Sequence, residues 1–242
     1  MPANLAGIFL SDARRGLRGA QRGTYPAMTR VLISDDHTLV RDGLRHILDS
    51  ADGIEVAGEA SDGATTIAMI REIPADVLVL DLSMPGRNGV ELLKQIKDEK
   101  PALRVLILTM HAEQQYAVRA FKAGASGYLT KESASAELVA AVNKLASGGV
   151  YVSLAMAERL ALSLYERGDD LPHQRLSDRE FEVFRRIAGG ETITQIAQAL
   201  SVSAKTISTY KTRILDKMQM PHDAALVRYA VRQKLFEDDH ET

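Results

Sequence analysis

Five side chains of this sequence have the types and spacing to handle a phosphoryl group together: Asp35, Asp36, Asp81, Thr109 and Lys131. Each stands at or just beyond the end of a short apolar run, at 31–34, 77–81, 105–109 and 127–130. Three carboxylates brought together repel one another unless a cation sits between them. Hard oxygen donors with open positions suit Mg²⁺, which keeps some waters and takes carboxylates together with phosphate oxygens. A hydroxyl and an ammonium on neighbouring strand ends supply what a bound phosphoryl group requires. Asp and Thr also cap helices, which accounts for any one of these residues but not for five at suitable strand ends. His37, next to the acidic pair, reads as a residue that caps or packs at a helix start, since Mg²⁺ prefers oxygen.

The elements that must position them follow from the hydropathy pattern. A further apolar run covers 54–60, and amphipathic stretches lie at 39–50, 64–71, 89–100, 115–123 and 136–147. In the first of these, Leu39, Val40, Leu44, Ile47 and Leu48 keep to helical spacing. Five strands alternating with five helices predict right-handed crossovers and a doubly wound, five-stranded parallel sheet of the α/β class. Ligands of such sheets sit outside the carboxyl ends of the strands, where the five side chains fall. Met84, Pro85, Gly86 and Gly89 make a tight turn after Asp81.

The 242 residues suffice for two small domains, and their charge is unevenly placed. Residues 28–150 carry 13 basic against 17 acidic side chains, whereas 173–236 carry 11 against six. An acidic module that handles metal or phosphate is thus tethered to an anion-binding one. The absence of Cys excludes disulfides and thiolate chemistry, and no apolar run approaches the ~20 residues needed to span a bilayer. We expect a cytoplasmic protein. Residues 1–27 form an extension without a secretory pattern, disordered or preceding a start at Met28. The first domain is placed at 28–148, a linker with a helix over 154–166 at 149–172, the second domain at 173–236 and an acidic tail at 237–242.

The second domain opens on Ser177, a good N-cap with Glu180 three residues on. Helices are predicted over 178–188, 194–200, 204–218 and 224–234. The middle pair has the shape of a helix-turn-helix, with its turn at 201–203 and Ser203 capping the second helix. There Ile207, Tyr210, Ile214 and Met218 form an inward stripe, opposite Lys205, Ser208, Thr209, Thr212 and Arg213. Short polar side chains with basic neighbours suit a helix lying in the major groove of DNA.

Residues 30–147 resemble the receiver domain of bacterial two-component response regulators, a flavodoxin-like fold. The resemblance rests on Val31-Leu-Ile-Ser-Asp-Asp-His37, Leu80-Asp-Leu-Ser-Met-Pro-Gly86, Leu108-Thr109 and Tyr128-Leu-Thr-Lys131. It implies that Asp81 is the phosphoacceptor, served by a sensor histidine kinase. It also implies that Mg²⁺ is held by Asp36, Asp81 and the backbone carbonyl of Ser83, with Asp35 acting through water. Thr109 and Lys131 would grip the phosphoryl oxygens, and Tyr128 would swing inward once Thr109 moves. Glu132 stands where many receivers have Pro.

Residues 173–236 resemble the LuxR-type helix-turn-helix domain through Leu176-Ser, Arg179-Glu180, Gly190, Ile196-Ala197, Leu200, Lys205-Thr-Ile207, Lys217 and Met218. Tyr210 replaces a frequent His. The order of the domains resembles the NarL/FixJ family. The resemblance implies a transcription factor whose DNA contacts come from Lys205, Ser208, Thr209, Thr212, Arg213 and Lys217, and which binds double-stranded promoter DNA as a homodimer when phosphorylated or DNA-bound. We further expect the unphosphorylated receiver to lie over 205–213. Two other classes stay open. A Mg²⁺-dependent phosphatase with an Asp nucleophile usually has a second Asp two residues on, where Ser83 stands here. A regulator acting through protein contacts alone would not use Asp81.

Overall fold

The computed structural model describes residues 28–84, 88–110, 114–153, 156–158, 171–233 and 235. The expectations for 1–27, for the tail at 237–242 and for most of the 154–166 helix fall outside them, residues 156–158 being helical.

The first domain runs β1 (Thr29–Ser34), α1 (Thr38–Asp49), β2 (Ile54–Ala60), α2 (Gly63–Glu72), β3 (Val77–Asp81), α3 (Gly89–Glu99), β4 (Arg104–Thr109), α4 (Gln114–Lys122), β5 (Gly127–Thr130) and α5 (Ala134–Ala146). Alternation along the strands sends side chains to two cores. Val31, Ile33, Val77, Val79, Leu106 and Leu108 meet Leu44 and Leu48 of α1 and Leu138, Val142 and Leu145 of α5. Leu32, Leu78, Leu80, Val105 and Ile107 meet Ile67 and Ile70 of α2, Leu93 and Ile96 of α3, and Ala117 and Ala120 of α4. A sheet apolar on both faces requires helices on both, and the chain supplies them. Asp62 caps α2 by accepting from the Thr65 amide, and Asn88 caps α3 by accepting from Val90 and Glu91.

Among the described residues the sheet has six strands rather than the expected five. Its order is β2-β1-β3-β4-β5-β6, and β6 (Tyr151–Val152) comes from the segment expected to be linker. It pairs in parallel with β5, Tyr128 opposite Val152. Two side chains hold it there, neither evident from local hydropathy. The Tyr151 hydroxyl donates to Glu137 Oε2 at 2.6 Å, and Arg104 donates to the Gly148 and Gly149 carbonyls just upstream.

The second domain starts with a 3-10 turn, Pro172–Arg175, across the boundary expected between linker and second domain. His173 is buried there, its Nδ1 2.8 Å from the Tyr229 hydroxyl. Four helices follow: α6 (Asp178–Ala188), α7 (Ile193–Ala199), α8 (Ala204–Met218) and α9 (Asp223–Arg232). Capping boxes start α6 (Ser177 with Glu180) and α7 (Thr192 with Gln195), and Ser203 caps α8 by accepting from Thr206. Ile196, Leu200, Ile207, Ile214, Met218 and Leu226 fill the space between them.

Helix α6 also packs on the first domain. Phe181 meets the Tyr116 ring edge-on, with centroids 5.4 Å apart, and the Arg119 guanidinium lies 4.3 Å above it. Asp178 accepts from Lys94 at 2.7 Å and from Arg119 at 2.9 Å, while Asn88 donates to Glu182 at 2.8 Å.

Candidate phosphorylation site and nucleic-acid interface

Strand β3 is buried along its whole length, so its terminal Asp81 stands at the floor of the carboxyl-end crevice with 1% of its surface exposed. The parallel register places Asp35 just after β1 on one side and Thr109 at the end of β4 on the other. Lys131 directly follows β5 and reaches across, its ammonium 2.8 Å from Asp81 Oδ2 and 2.7 Å from Asp35 Oδ2. The Ser83 amide donates to the other Asp81 oxygen at 2.9 Å. The structure thus brings together Asp35, Asp36, Asp81 and Lys131, with Thr109 fully buried beside them.

Burial pushes the Asp81 carboxyl up from its ordinary pKa, against the opposing pull of Lys131 and the Ser83 amide. Burial depresses Lys131 in turn, but its hydrogen bonds and charge pairing with Asp35 and Asp81 outweigh this and hold it above the usual lysine value. One ammonium cannot balance three carboxylates. Asp35, Asp36, Asp81 and His37 each offer a ligand atom, all within 4.8 Å of one another, so the oxygen donors fit a small divalent cation.

His37 departs from expectation, and Tyr128 is buried. His37 takes the N-cap position of α1 but makes no side-chain cap bond. Its amide donates to Asp35 at 2.9 Å and its Nδ1 lies 3.0 Å from Asp36 Oδ1, on the rim of the acidic cluster. Tyr128, expected to swing inward, is already 2% exposed. It belongs to the cluster that includes Ile107, Tyr116 and Met156, with Val152 of β6 packed against it.

In the second domain, Lys205, Ser208, Thr209, Thr212 and Arg213 form one exposed face of α8, while Ile207 and Ile214 point inward. The hydroxyls of Ser208, Thr209 and Thr212 each donate to the carbonyl four residues back, at 2.9–3.1 Å. Lys217 lies farther along and is engaged differently, 2.6 Å from Glu180 Oε2. The expectation that the receiver lies over 205–213 is corrected: that face is exposed, and the receiver rests on α6 instead. Asp178 and Glu182 give the physical reason, being acidic partners for Lys94, Arg119 and Asn88.

Residues 31–143 match the model of the response regulator receiver domain, and 174–230 match that of the bacterial regulatory proteins of the luxR family. Response regulator UvrY of Escherichia coli K12 is 36% identical over 209 residues, covering 86% of this chain and 96% of the relative. The chain belongs to the LuxR-type response regulators. Response regulator GacA of Pseudomonas aeruginosa is 34% identical over 206 residues, covering 85% of this chain and 96% of its own length. Among solved structures, the RcsB response regulator of Salmonella typhimurium gives a TM-score of 0.64 at 32% identity, covering 85% of this chain and 98% of its own. RcsB of Salmonella enterica serovar Typhimurium, bound to a promoter in the presence of phosphomimetic BeF3-, gives 0.61 at 33% identity, covering 83% and 97%. This response regulator is therefore a transcription factor of the NarL/FixJ type. No helix among the described residues is long and apolar enough to cross a membrane.

The residues that sequence reasoning missed are those joining the domains: Asn88, Lys94, Tyr116, Arg119, Asp178 and Glu182. Charged and aromatic residues on amphipathic helices carry no local signal that distinguishes a solvated face from a face against another domain.

Proposed function

We infer that this response regulator accepts a phosphoryl group on Asp81 from a sensor histidine kinase and thereby controls binding of α8 to promoter DNA. The observation that carries the reading is the Asp81 carboxylate, held at the end of a buried central strand between Lys131 and the acidic pair. An Asp81 carboxylate oxygen attacks phosphorus, the P–N bond to the kinase histidine breaks, and the electron pair stays with the departing imidazole. Lys131 moves from the Asp81 carboxylate to the new phosphoryl oxygens, and Thr109 binds another of them. Asp36 and Asp81, with the Ser83 carbonyl and, through water, Asp35, would hold Mg²⁺, whose charge would offset that of the transferring oxygens.

The exposed face of α8 enters the major groove. Lys205 and Arg213 contact phosphates, and the hydroxyls of Ser208, Thr209 and Thr212 turn from their own backbone carbonyls toward bases and sugar. Lys217 at the end of α8 extends the same basic edge. A homodimer on paired half-sites supplies the affinity that one small domain lacks, as in the structure of RcsB dimers bound to DNA. The site of action is the cytoplasm. The phosphatase reading lacks its acid: position 83 is a serine.

Labelling with a small acyl phosphate and Mg²⁺ tests the assignment. The full chain should acquire an alkali-labile phosphoryl group, and Asp81→Asn should acquire none. Undiminished labelling of that variant overturns the assignment.

A further inference from the structure

The first residue of the acidic pair is held from several sides. The Asp35 amide donates to the Ala60 carbonyl at 3.1 Å, which continues the pairing of β1 with β2 by one residue. Its Oδ1 accepts from the His37 amide at 2.9 Å, and its Oδ2 lies 2.7 Å from the Lys131 ammonium. Its carbonyl accepts from Arg41, one turn into α1, at 2.6 Å. Arg41 also donates to Thr38 Oγ1 at 3.3 Å, and its Nε lies 3.5 Å from Glu59 Oε2 on β2. Arg45 takes the other oxygen of Glu59. The Arg41 guanidinium thus bridges the start of α1, the end of β2 and the backbone of the acidic pair, with 14% of its side chain exposed. Asp36 differs. Its Oδ1 is buried and accepts no hydrogen bond among the described residues, with the His37 ring nitrogen at 3.0 Å. A peptide unit is planar, so the direction of the Asp35 carbonyl sets the plane that carries the Asp36 nitrogen and Cα. Arg41 is the side chain that grips that carbonyl.

We propose that Arg41 is a positioning residue for Mg²⁺ binding: by holding the Asp35 carbonyl it aims the Asp36 carboxylate into the acidic crevice. The proposal rests on the reading of Asp36 and Asp81 as ligands of that ion. Arginine suits the task, because its planar fork offers five donors in fixed directions, whereas lysine is a single point charge. Here the fork serves a carbonyl, a hydroxyl and a carboxylate at once. The charge of Arg41 works the other way. A cation beside the crevice repels Mg²⁺, and Glu59 offsets that repulsion by pairing with it. Position and charge therefore give Arg41 opposite effects on the ion, and the sign of the change on removing it tells them apart.

The test titrates the full chain with Mg²⁺ by calorimetry. Arg41→Ala should bind the ion about tenfold more weakly than the unaltered chain, the lower end for loss of a group that orients a metal ligand. Arg41→Lys, which keeps the charge without the fork, should fall between. Arg45→Ala removes the other cation of Glu59 without touching the Asp35 carbonyl, and should bind as the unaltered chain does. Labelling by acetyl phosphate separates placement from damage to the fold. Arg41→Ala should need about tenfold more Mg²⁺ for its half-maximal rate, yet reach the unaltered rate at saturation. Equal or tighter Mg²⁺ binding by Arg41→Ala overturns the positioning role, and so does a rate that stays low at saturating Mg²⁺. Should Arg41→Ala not fold, equal binding by Arg41→Lys overturns it instead. Asp36→Asn binding Mg²⁺ as tightly as the unaltered chain overturns the ligand reading and the positioning role together.

Discussion

The Lys217 ammonium lies 2.6 Å from Oε2 of Glu180, a carboxylate that is nearly sealed from solvent and also serves the capping box of α6. Burial pushes this carboxyl up, but the bonds from Lys217 and Ser177 outweigh it and hold the group below its usual value. Lys217→Ala strands a buried anion, so it should lower the stability of the domain by ~1–3 kcal/mol in urea unfolding. Lys205→Ala should leave stability unchanged. It should weaken binding evenly across DNA sequences and reduce the salt slope by about one. Equal stability of the two variants would show that Glu180 does not depend on Lys217.

Thr209→Ala and Thr212→Ala remove exposed hydroxyls that reach only their own helix backbone. Melting temperature should stay within a degree or so, whereas discrimination against a wrong base should fall by ~1–3 kcal/mol at whichever position is read. Binding titrations on single-base operator variants provide the measurement, and unchanged discrimination in both would place base reading elsewhere.

His173 gives the fold a pH dependence. Burial, with the nearby Arg119 charge adding to it, lowers its pKa from 6.5 to about 4. Between those values the unfolded chain binds a proton that the folded chain refuses. The stabilisation is complete above pH 6.5 and is lost as pH falls toward 4, up to about 3 kcal/mol in all. Urea unfolding from pH 7.5 down to 4.5 should show the loss, and His173→Gln should remove most of that slope. The same slope in the variant would assign it to other groups.

Lys131→Ala should cut labelling of Asp81 by at least tenfold, because the ammonium sits on the carboxylate that receives the phosphoryl group. Mg²⁺ affinity by calorimetry should hold or rise, since a competing cation has gone. Weaker Mg²⁺ binding would mean that Lys131 organises the metal ligands instead.

Gly89 opens α3 so close to Leu82 that an added Cβ would lie 2.3 Å from the Leu82 carbonyl oxygen. The obstacle is backbone and cannot rotate away, so Gly89→Ala should destabilise the receiver by ~1–3 kcal/mol. Thermal melting measures this; an unchanged midpoint would show that the loop shifts freely.

Much of this molecule is legible in the sequence because strand ends and hydropathy period are local properties. Val77–Asp81 reads as a buried strand with a carboxylate at its tip, and the fold needs nothing more to deliver Asp81 to the crevice. Strand β6 is not legible, since two residues carry no period and it is fixed by Glu137 and Arg104, which are remote in sequence. The 3-10 turn at Pro172–Arg175 escapes for a similar reason: among Pro and charged residues, nothing local marks His173 as buried until Tyr229 is seen to receive it. The dock on α6 escapes because Arg119 on α4 and Asp178 on α6 are each ordinary helix-surface residues until the two domains meet.

Strand β6 also settles the direction in which the chain departs from the receiver. Helix α5 returns the polypeptide to the pole of the sheet opposite Asp81, and a tether starting there would aim the second domain away from the reactive crevice. Two residues paired in parallel with β5 reverse that heading and carry the chain about 7 Å back toward the reactive pole. Val152 thereby lies level with Tyr128, two residues short of Thr130 at the reactive end of β5. A receiver lacking the Tyr151 anchor would hold the same site and the same helices, yet send its effector off with the wrong compass bearing.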